Sequence, residues 1–337
     1  MQYNIAMNFY TDSKSLQAQL ENPIDKRSGH TFGPPSGRKL VYFVDDLNLP
    51  YVETYGTQNS LSLMRQLIDH GNFFDRIDLG FRTKVVDVQF VTAMNPTAGS
   101  FTISDRLQRQ FSTFACMMPS QSDLRTIYHS ILDGHLEAFE PRISGLTSAL
   151  VDSTVNITKS VQSSFLPSAI KFTYNWNMRE LSNVVQGLCR ADPGSYTEPL
   201  DMVRLWYHEC NRVFKDRMVA ALDLSRFEEQ LLDVGKKFFS EVKIGTGMND
   251  IIEIKAEELV AEPCVYTSFV SPSHGEPTYL PIPSQEVFVE CVKGKLVEYN
   301  ESNSIMDLVL FQAALLHVSR IARIVANPAG NAMLIGV

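Results

Sequence analysis

The 337-residue chain has few cysteines, and none of the five, Cys116, Cys189, Cys210, Cys264 and Cys291, stands in a C-x-x-C pair. That scatter excludes a disulfide framework and a zinc ribbon, and with no signal peptide opening the chain it points to reduced, cytosolic thiols. The seven histidines are equally dispersed, so no zinc-ligand spacing exists. His317, inside an apolar helical stretch, reads as a core or interface residue. Positive charge is short as well: 30 Lys and Arg face 38 Asp and Glu, and a net charge of −8 removes the electrostatic footprint of a nucleic-acid binder. No membrane span is evident, because the longest apolar stretch, residues 306–325, is interrupted by Asp307, Gln312, His317, Arg320 and Arg323. A phosphate-binding loop is also missing. Gly33-Pro34-Pro35-Ser36-Gly37-Arg38-Lys39 has the glycines but feeds a strand, whereas a P-loop leads into a helix whose N-terminal amides face the phosphates.

What is present is long enough for two or three packed units. The five apolar residues Leu40-Val41-Tyr42-Phe43-Val44 read as a buried parallel strand covered on both faces, and they deliver Asp45 and Asp46 to its carboxyl end. Ligands of open α/β sheets bind at that end. Two acids there suit a cation: Asp45 would hold the Mg²⁺ of a nucleoside triphosphate through its water shell, and Asp46 would polarise the attacking water, the pattern of a Walker B element. The alternative is a strand that ends in a polar turn. A second apolar strand, residues 85–92, runs into Ala93-Met94-Asn95-Pro96, so that Asn95 would sit beside the acids and orient the lytic water, or serve only as a turn residue. Arg106 and Arg109 in Ser104-Asp105-Arg106-Leu107-Gln108-Arg109 are either a solvated helix face or, since the segment resembles the arginine-finger segment of AAA+ ATPases, guanidiniums that would reach the phosphate bound by a neighbouring module.

Helical periodicity marks residues 13–20 and 56–70, the latter stopped by Gly71. From Ser122 onward helix dominates, in stripes Leu124/Ile127/Tyr128/Ile131/Leu132, residues 178–188, and residues 200–218 with Val203, Trp206, Tyr207, Cys210, Val213 and Phe214 on one side. Arg179 begins the second of these stripes and reads as either a phosphate-sensing arginine or a solvated one paired with a nearby acid. Residues 227–283 read as a connector with a glycine turn at 245–247, residues 285–327 as returning helix, and residues 331–337 as an apolar strand.

Residues 40–50, Tyr55-Gly56-Thr57-Gln58, Met64-Arg65-Gln66, Met94-Asn95-Pro96, Arg106-Leu107-Gln108-Arg109, Trp176-Asn177-Met178-Arg179-Glu180-Leu181-Ser182 and Arg204-Leu205-Trp206-Tyr207-His208-Glu209 together resemble the third AAA+ module of dynein heavy chains, more the axonemal than the cytoplasmic type. Tyr279-Leu280-Pro281-Ile282-Pro283, Tyr299-Asn300 and residues 327–332 resemble the entry into the fourth module. The resemblance covers essentially the whole chain. It implies an α/β fold, an AAA+ P-loop-type parallel sheet lacking its P-loop strand, then a helical lid subdomain and the helical start of a second module, with divisions at 1–120, 121–282 and 283–337. The implied roles are Walker B for Asp45 and Asp46, sensor I for Asn95, arginine finger for Arg106 and Arg109, and sensor II for Arg179.

The implied cofactor is ATP or ADP with Mg²⁺, bound only in the intact motor. The implied partners are neighbouring AAA+ modules of the same heavy chain, with dynein intermediate and light chains and microtubules met through the whole motor in the axoneme of a cilium or flagellum. In the family one P-loop precedes residues like 1–9 and another follows residues like 334–337, so this chain alone is expected to hydrolyse no ATP. The absent P-loop strand would leave open sheet edges, on one side near residues 114–118 read as a strand, and the terminal strand 333–337 is a candidate to fill the gap. The competing reading is a non-catalytic AAA+ ring segment that serves as a structural module.

Overall fold

The computed structural model describes residues 1–96, 103–243, 251–270, 278–328 and 330–336, and these divide into two compact units, Met1–Met117 and Met118–Val337. The glycine turn expected at 245–247 and the last residue of the expected terminal strand, Val337, lie outside the described residues.

In the first unit, β1 (Gln2–Ala6) leads to α1 (Ser13–Glu21), whose start is fixed by reciprocal capping between Asp12 and Ser15. A mixed sheet follows, built from β2 (Asp25–Ser28) and β3 (Thr31–Gly33). The chain then enters β4 (Leu40–Asp45) through a short 3-10 turn at Pro35–Gly37, so the glycine-bearing loop leads into a strand and not a helix. After α2 (Asn59–His70), Gly71 takes a left-handed φ of 63° and its N–H donates to Leu67 O at 2.8 Å, closing the helix. β5 (Asn72–Phe74), β6 (Arg82–Val85), β7 (Val88–Thr92) and the short α3 (Asp105–Gln108) complete the unit.

The strand expected over residues 85–92 is two strands in two sheets. Asp87 has φ 58°, a conformation in which Asp is among the better tolerated residues, and this kink sends β6 into a four-stranded sheet ordered β2-β3-β6-β5 and β7 into a three-stranded sheet ordered β1-β4-β7. Arg27 holds the kink, pairing with the Asp87 carboxylate at 2.5 Å while donating to Pro34 O at 2.9 Å. The three-stranded sheet is parallel throughout, with Ala6 opposite Asp45 and Val44 opposite Thr92, so all its strands end on the same side. Leu40, Tyr42 and Val44 are fully buried against Leu16, Leu20, Leu61 and Met64. Val41 and Phe43, on the opposite face of β4, are half-buried, so coverage is unequal where both faces were expected to be sealed. Tyr42 joins the layers: its ring stacks on Phe90 at 5.2 Å and its hydroxyl donates to Leu20 O.

The second unit is helical. It contains α4 (Gln121–Leu136), α5 (Pro141–Ser144), α6 (Thr147–Ser164), α7 (Met178–Leu188), α8 (Pro199–Phe214) and α9 (Ala221–Phe239). The hairpin β8 (Val242–Lys243) with β9 (Ile251–Ile252) follows, then α10 (Ala256–Val260), the pair β10 (Tyr266–Thr267) and β11 (Leu280–Pro281), α11 (Gln285–Ser302) and α12 (Gln312–Val325). The α8 stripe is as its period predicts: Val203, Trp206, Tyr207, Cys210, Val213 and Phe214 are all buried, each apolar side chain contributing about 1.5–3 kcal/mol. Trp206 satisfies its indole N–H on Thr154 Oγ1 of α6 at 2.9 Å.

Several expectations are corrected here. In α4 the buried line is Tyr128, Leu132 and Leu136, while Ile127 and Ile131 are exposed. The supposed connector begins inside α9, whose Phe227, Leu231, Val234 and Phe239 are core. His317 is exposed on α12, which overturns the core half of its core-or-interface reading, because Leu315, Ser319 and Arg323 form the buried line of that helix. Residues 114–118 and 333–336 form no strand; Phe114, Met117, Met333 and Leu334 stay exposed, so the described part of the terminal segment fills no sheet edge. No helix of the described residues is long and apolar enough to cross a membrane.

Candidate functional site

The carboxyl ends of β4 and β7 form one constellation. Asp45 ends β4 in register with Ala6, and Asp46 follows in a left-handed conformation, φ 55°, with its N–H donating to Asp45 Oδ1 at 3.0 Å. The chain after β4 is then tied to the chain after β7. Leu47 N–H donates to Ala93 O at 3.1 Å, and the buried Asn48 side chain donates to Asn95 O at 3.0 Å. Asp45, Asp46 and Asn95 are therefore brought together, all exposed, at the end of a parallel sheet where ligands of open α/β folds bind. Neither acid has an ion-pair partner among the described residues.

This donor set suits a hard, hydrated divalent cation. No group of three or more His, Cys, Asp or Glu side chains capable of holding an ion is assembled among the described residues, which leaves no all-protein cage. Mg²⁺ keeps much of its water and is commonly held by one or two carboxylates plus substrate phosphates, so Asp45 and Asp46 suit a phosphate-borne Mg²⁺.

The three arginines are carried by α3 and α7. α3 is anchored by buried Leu107 and capped by Ser104, whose hydroxyl accepts from Arg106 N–H at 3.3 Å, and the Gln110 side chain donates to Asp69 of α2. This leaves Arg106 and Arg109 exposed, with no ion pair to Asp45, Asp46 or any other described residue. Arg179 belongs to the second unit, at the second position of α7, where Asn177 Oδ1 accepts its backbone N–H at 2.7 Å. Its guanidinium is exposed and makes no ion pair among the described residues; Glu180, the nearby acid, is taken by Arg217 at 2.5 Å. A cation in the first turn opposes the helix dipole at a cost of about 0.3–1 kcal/mol, so helix stability gives no reason for Arg179.

Sequence reasoning missed a buried charged joint in the second unit. Glu209 of α8 is fully buried, with Arg212 at 2.8 Å, Arg323 of α12 at 3.5 Å and the Tyr279 hydroxyl donating to it at 2.9 Å. Its carboxylate occupies the space that a Cβ at Gly187 of α7 would need. Burial pushes the Glu209 carboxyl up, but Arg212 and Arg323 outweigh that, and the net displacement is downward, so the charge is retained. Arg323 also donates to Asn327 Oδ1 at 2.8 Å, which accepts from Arg190 at 3.0 Å, and lies over the Tyr279 ring at 5.1 Å. The joint thus ties the quoted motifs at residues 204–209, 279–283 and 327–332 into one network. The available signal was an acid on an apolar helix stripe: Glu209 stands three residues after Trp206 and four before Val213.

His208, beside it, is buried and neutral. Its Nδ1 faces Cys264 O at 3.0 Å, which places a proton there, and its Nε2 accepts from Arg320 at 3.2 Å while lying 3.0 Å from the Tyr279 hydroxyl, the group that donates to Glu209. Burial and the adjacent Arg320 charge push its pKa down to about 3. The unfolded chain therefore binds a proton near pH 6.5 that the folded chain refuses, and stability should be level above that pH and fall as pH drops toward 3, by up to about 1.4 kcal/mol per pH unit. Urea unfolding between pH 7.5 and 5 checks this. A His208→Asn variant should flatten the slope, and an unchanged slope would rule out His208 as its source.

Comparison with known proteins supplies the remaining evidence. Residues 1–119 match the family described as P-loop containing dynein motor region, residues 150–247 the AAA+ lid domain, and residues 306–337 the P-loop containing dynein motor region D4. The chain is 44% identical to a dynein beta chain of the flagellar outer arm of Chlamydomonas reinhardtii, 43% to a ciliary dynein beta chain of Tripneustes gratilla and 38% to dynein axonemal heavy chain 9 of Homo sapiens. Each similarity covers 99% of this chain and 7% of the relative's length.

Proposed function

Since this chain belongs to the dynein heavy-chain family, we propose that it contributes Walker B, sensor I, arginine-finger and sensor II elements of a regulatory ATP site in an AAA+ ring. The observation that carries the proposal is the juxtaposition of Asp45, Asp46 and Asn95 at the adjacent ends of β4 and β7. In this reading Asp45 binds the hydrated Mg²⁺ of the nucleotide, Asp46 and Asn95 position the attacking water, Arg179 senses the terminal phosphate, and Arg106 and Arg109 serve the neighbouring module's nucleotide. When bound, the metal neutralises phosphate charge; this chain's residues orient water and nucleotide. The exposed, unpaired state of all three arginines supports the assignment, since none is committed to a structural ion pair among the described residues.

We assign the first unit and the lid to the third module of the ring and the chain from about residue 283 to the start of the fourth, the region in which the D4 match falls. The chain spans 7% of the length of its curated relatives, so motility, microtubules and the intermediate and light chains are partners proposed for the whole heavy chain. The relatives' names place them in flagellar outer arms, cilia and axonemes, and the same location is proposed here.

Nucleotide binding to the heavy chain, including the sequence on both sides of this region, tests the reading. With the other nucleotide sites inactivated, Mg²⁺-dependent ATP binding is expected, and Asp45→Ala should weaken it about 10–100-fold, the range for losing an outer-sphere metal contact. Mg²⁺-independent or absent binding at this site would instead favour a ring segment that only transmits force. The buried Glu209 joint, which ties α8 to α12, is what recommends that second reading.

A further inference from the structure

A cavity lies in the first unit, at the same end of the parallel sheet, after β1 and β4. It measures about 370 Å³ and is lined by Phe9, Tyr10, Thr11, Asp12, Tyr51, Glu53 and Asn59, within the size range of small-molecule sites, about 300–1,000 Å³. Three of its walls are aromatic and mutually steep. Phe9 meets Tyr10 at 5.2 Å and 85°, and Tyr51 at 5.4 Å and 68°. The rings are not turned inward as core: Tyr10 is 87% exposed, and Phe9 and Tyr51 are each 53% exposed.

Their backbones are nevertheless fixed. Asn8 and Thr11 close a turn with reciprocal bonds, Asn8 N–H donating to Thr11 Oγ1 and Thr11 N–H to Asn8 O, both at 3.0 Å. Tyr10 N–H donates to Asn8 Oδ1 at 2.9 Å, and Tyr51 N–H donates to Phe9 O at 3.1 Å, which joins the two loops. Glu53 is held by a second turn, its N–H donating to Thr57 O at 2.8 Å. Exposed aromatics on pre-set backbone are a binding surface whose ordering cost has already been met by folding.

The charge of the lining decides the ligand class. Asp12 and Glu53 are the charged residues of the cavity, and among the described residues no basic side chain lines it. Both carboxylates are already engaged: Asp12 Oδ1 accepts from Ser15 N–H at 2.7 Å, and Glu53 accepts from Thr57 Oγ1 at 3.0 Å and from Asn59 Nδ2 at 2.5 Å. They supply negative potential with few free acceptor directions. A primary ammonium loses three strong hydrogen bonds to water on entry and finds little directed replacement, and a planar guanidinium stacks best on a single ring face. A methylated ammonium is round, weakly hydrated and attracted to several ring faces at once.

We infer that the Phe9–Tyr10–Tyr51 cavity is a binding site for a quaternary or tertiary ammonium group. Such a group comes from a methylated lysine on a protein partner or from a free choline-like molecule. Neither Asp45 nor Asp46 lines the cavity, so the site stands or falls independently of the nucleotide assignment.

Titration of the full chain with Nε-trimethyllysine amide, lysine amide, choline and the neutral isostere in which carbon replaces the quaternary nitrogen tests this, read by tyrosine fluorescence and NMR. Trimethyllysine is expected to bind at least about tenfold more tightly than lysine or the neutral isostere. Tyr10→Ala, at the most exposed wall, should remove that preference with unchanged circular dichroism, and Phe9→Ala and Tyr51→Ala should do the same. Tighter binding of trimethyllysine than choline identifies a peptide source, and the reverse a free molecule; either supports the site. Equal binding of all ligands, or binding indifferent to Tyr10→Ala, overturns it.

Discussion

Replacing Glu209 by Gln is expected to destabilise the unit containing residues 118–337 by about 3–5 kcal/mol, the cost of breaking a buried ion pair from one side. The loss does not measure what the pair contributes; it comes from leaving Arg323, itself buried, and much of Arg212 without the charge that compensates them. Arg323 has little else to rely on, since its Nε and Nη2 make no hydrogen bond among the described residues and its remaining contacts are Asn327 and the Tyr279 ring. A double variant, Glu209→Gln with Arg323→Met, removes the orphaned charge together with its partner and should recover part of the loss. Gly187→Ala tests the same packing from α7, because its methyl group would run into the Glu209 carboxylate, at about 1–3 kcal/mol. Urea unfolding gives all of these, and a Glu209→Gln loss below about 1 kcal/mol would remove the joint as the element tying α8 to α12.

Changing Asp46 to Glu should raise ATP turnover at the proposed site about 10–100-fold in the heavy chain with its other sites inactivated. The present carboxylate is one methylene shorter than the Glu found after the Asp in many AAA+ Walker B elements, and misplacing a reacting group by about 1 Å costs about 10²-fold. In the proposed site a short acid would hold the attacking water back, and nucleotide would persist as a latch. The backbone adds a second reason for aspartate: at φ 55° Asp is tolerated, whereas Glu would pay part of the left-handed penalty of about 1–2 kcal/mol. The variant should therefore be faster and slightly less stable. Asp46→Asn keeps the local conformation, loses the base and should be slower still. A rate unmoved by Asp46→Glu would show that acid length is not what limits hydrolysis here.

Periodicity was sufficient where a single apolar stripe left no choice of face. The α7 and α8 segments, the α2 stop at Gly71 and the run into Asp45 follow from spacing and from the conformational freedom of glycine. It was insufficient where a single backbone angle or a distant partner chose between outcomes. Val85 and Val88 look like one strand until Asp87 turns left-handed and Arg27, some sixty residues earlier in the chain, pins it. Ile127 and Ile131 share the period of Tyr128 and Leu132, yet α6 and α7 pack on α4 and leave the two isoleucines exposed. His317 is apolar by neighbourhood and exposed in fact, because α12 turns Leu315, Ser319 and Arg323 inward instead.

The amino-acid sequence by itself determined which residues could do chemistry: an acid pair after a buried strand, an amide after the next, and arginines on short helical starts, all of them local patterns set by side-chain period and type. Tertiary structure decided which of these meet. Parallel register put the strand ends that lead to Asp45 and Asn95 next to each other. Packing of helices far apart in the chain buried Glu209 among arginines, and loops from two strands set three aromatic rings around one space. Such meetings depend on contacts between residues distant in sequence, whose free energy no local pattern records.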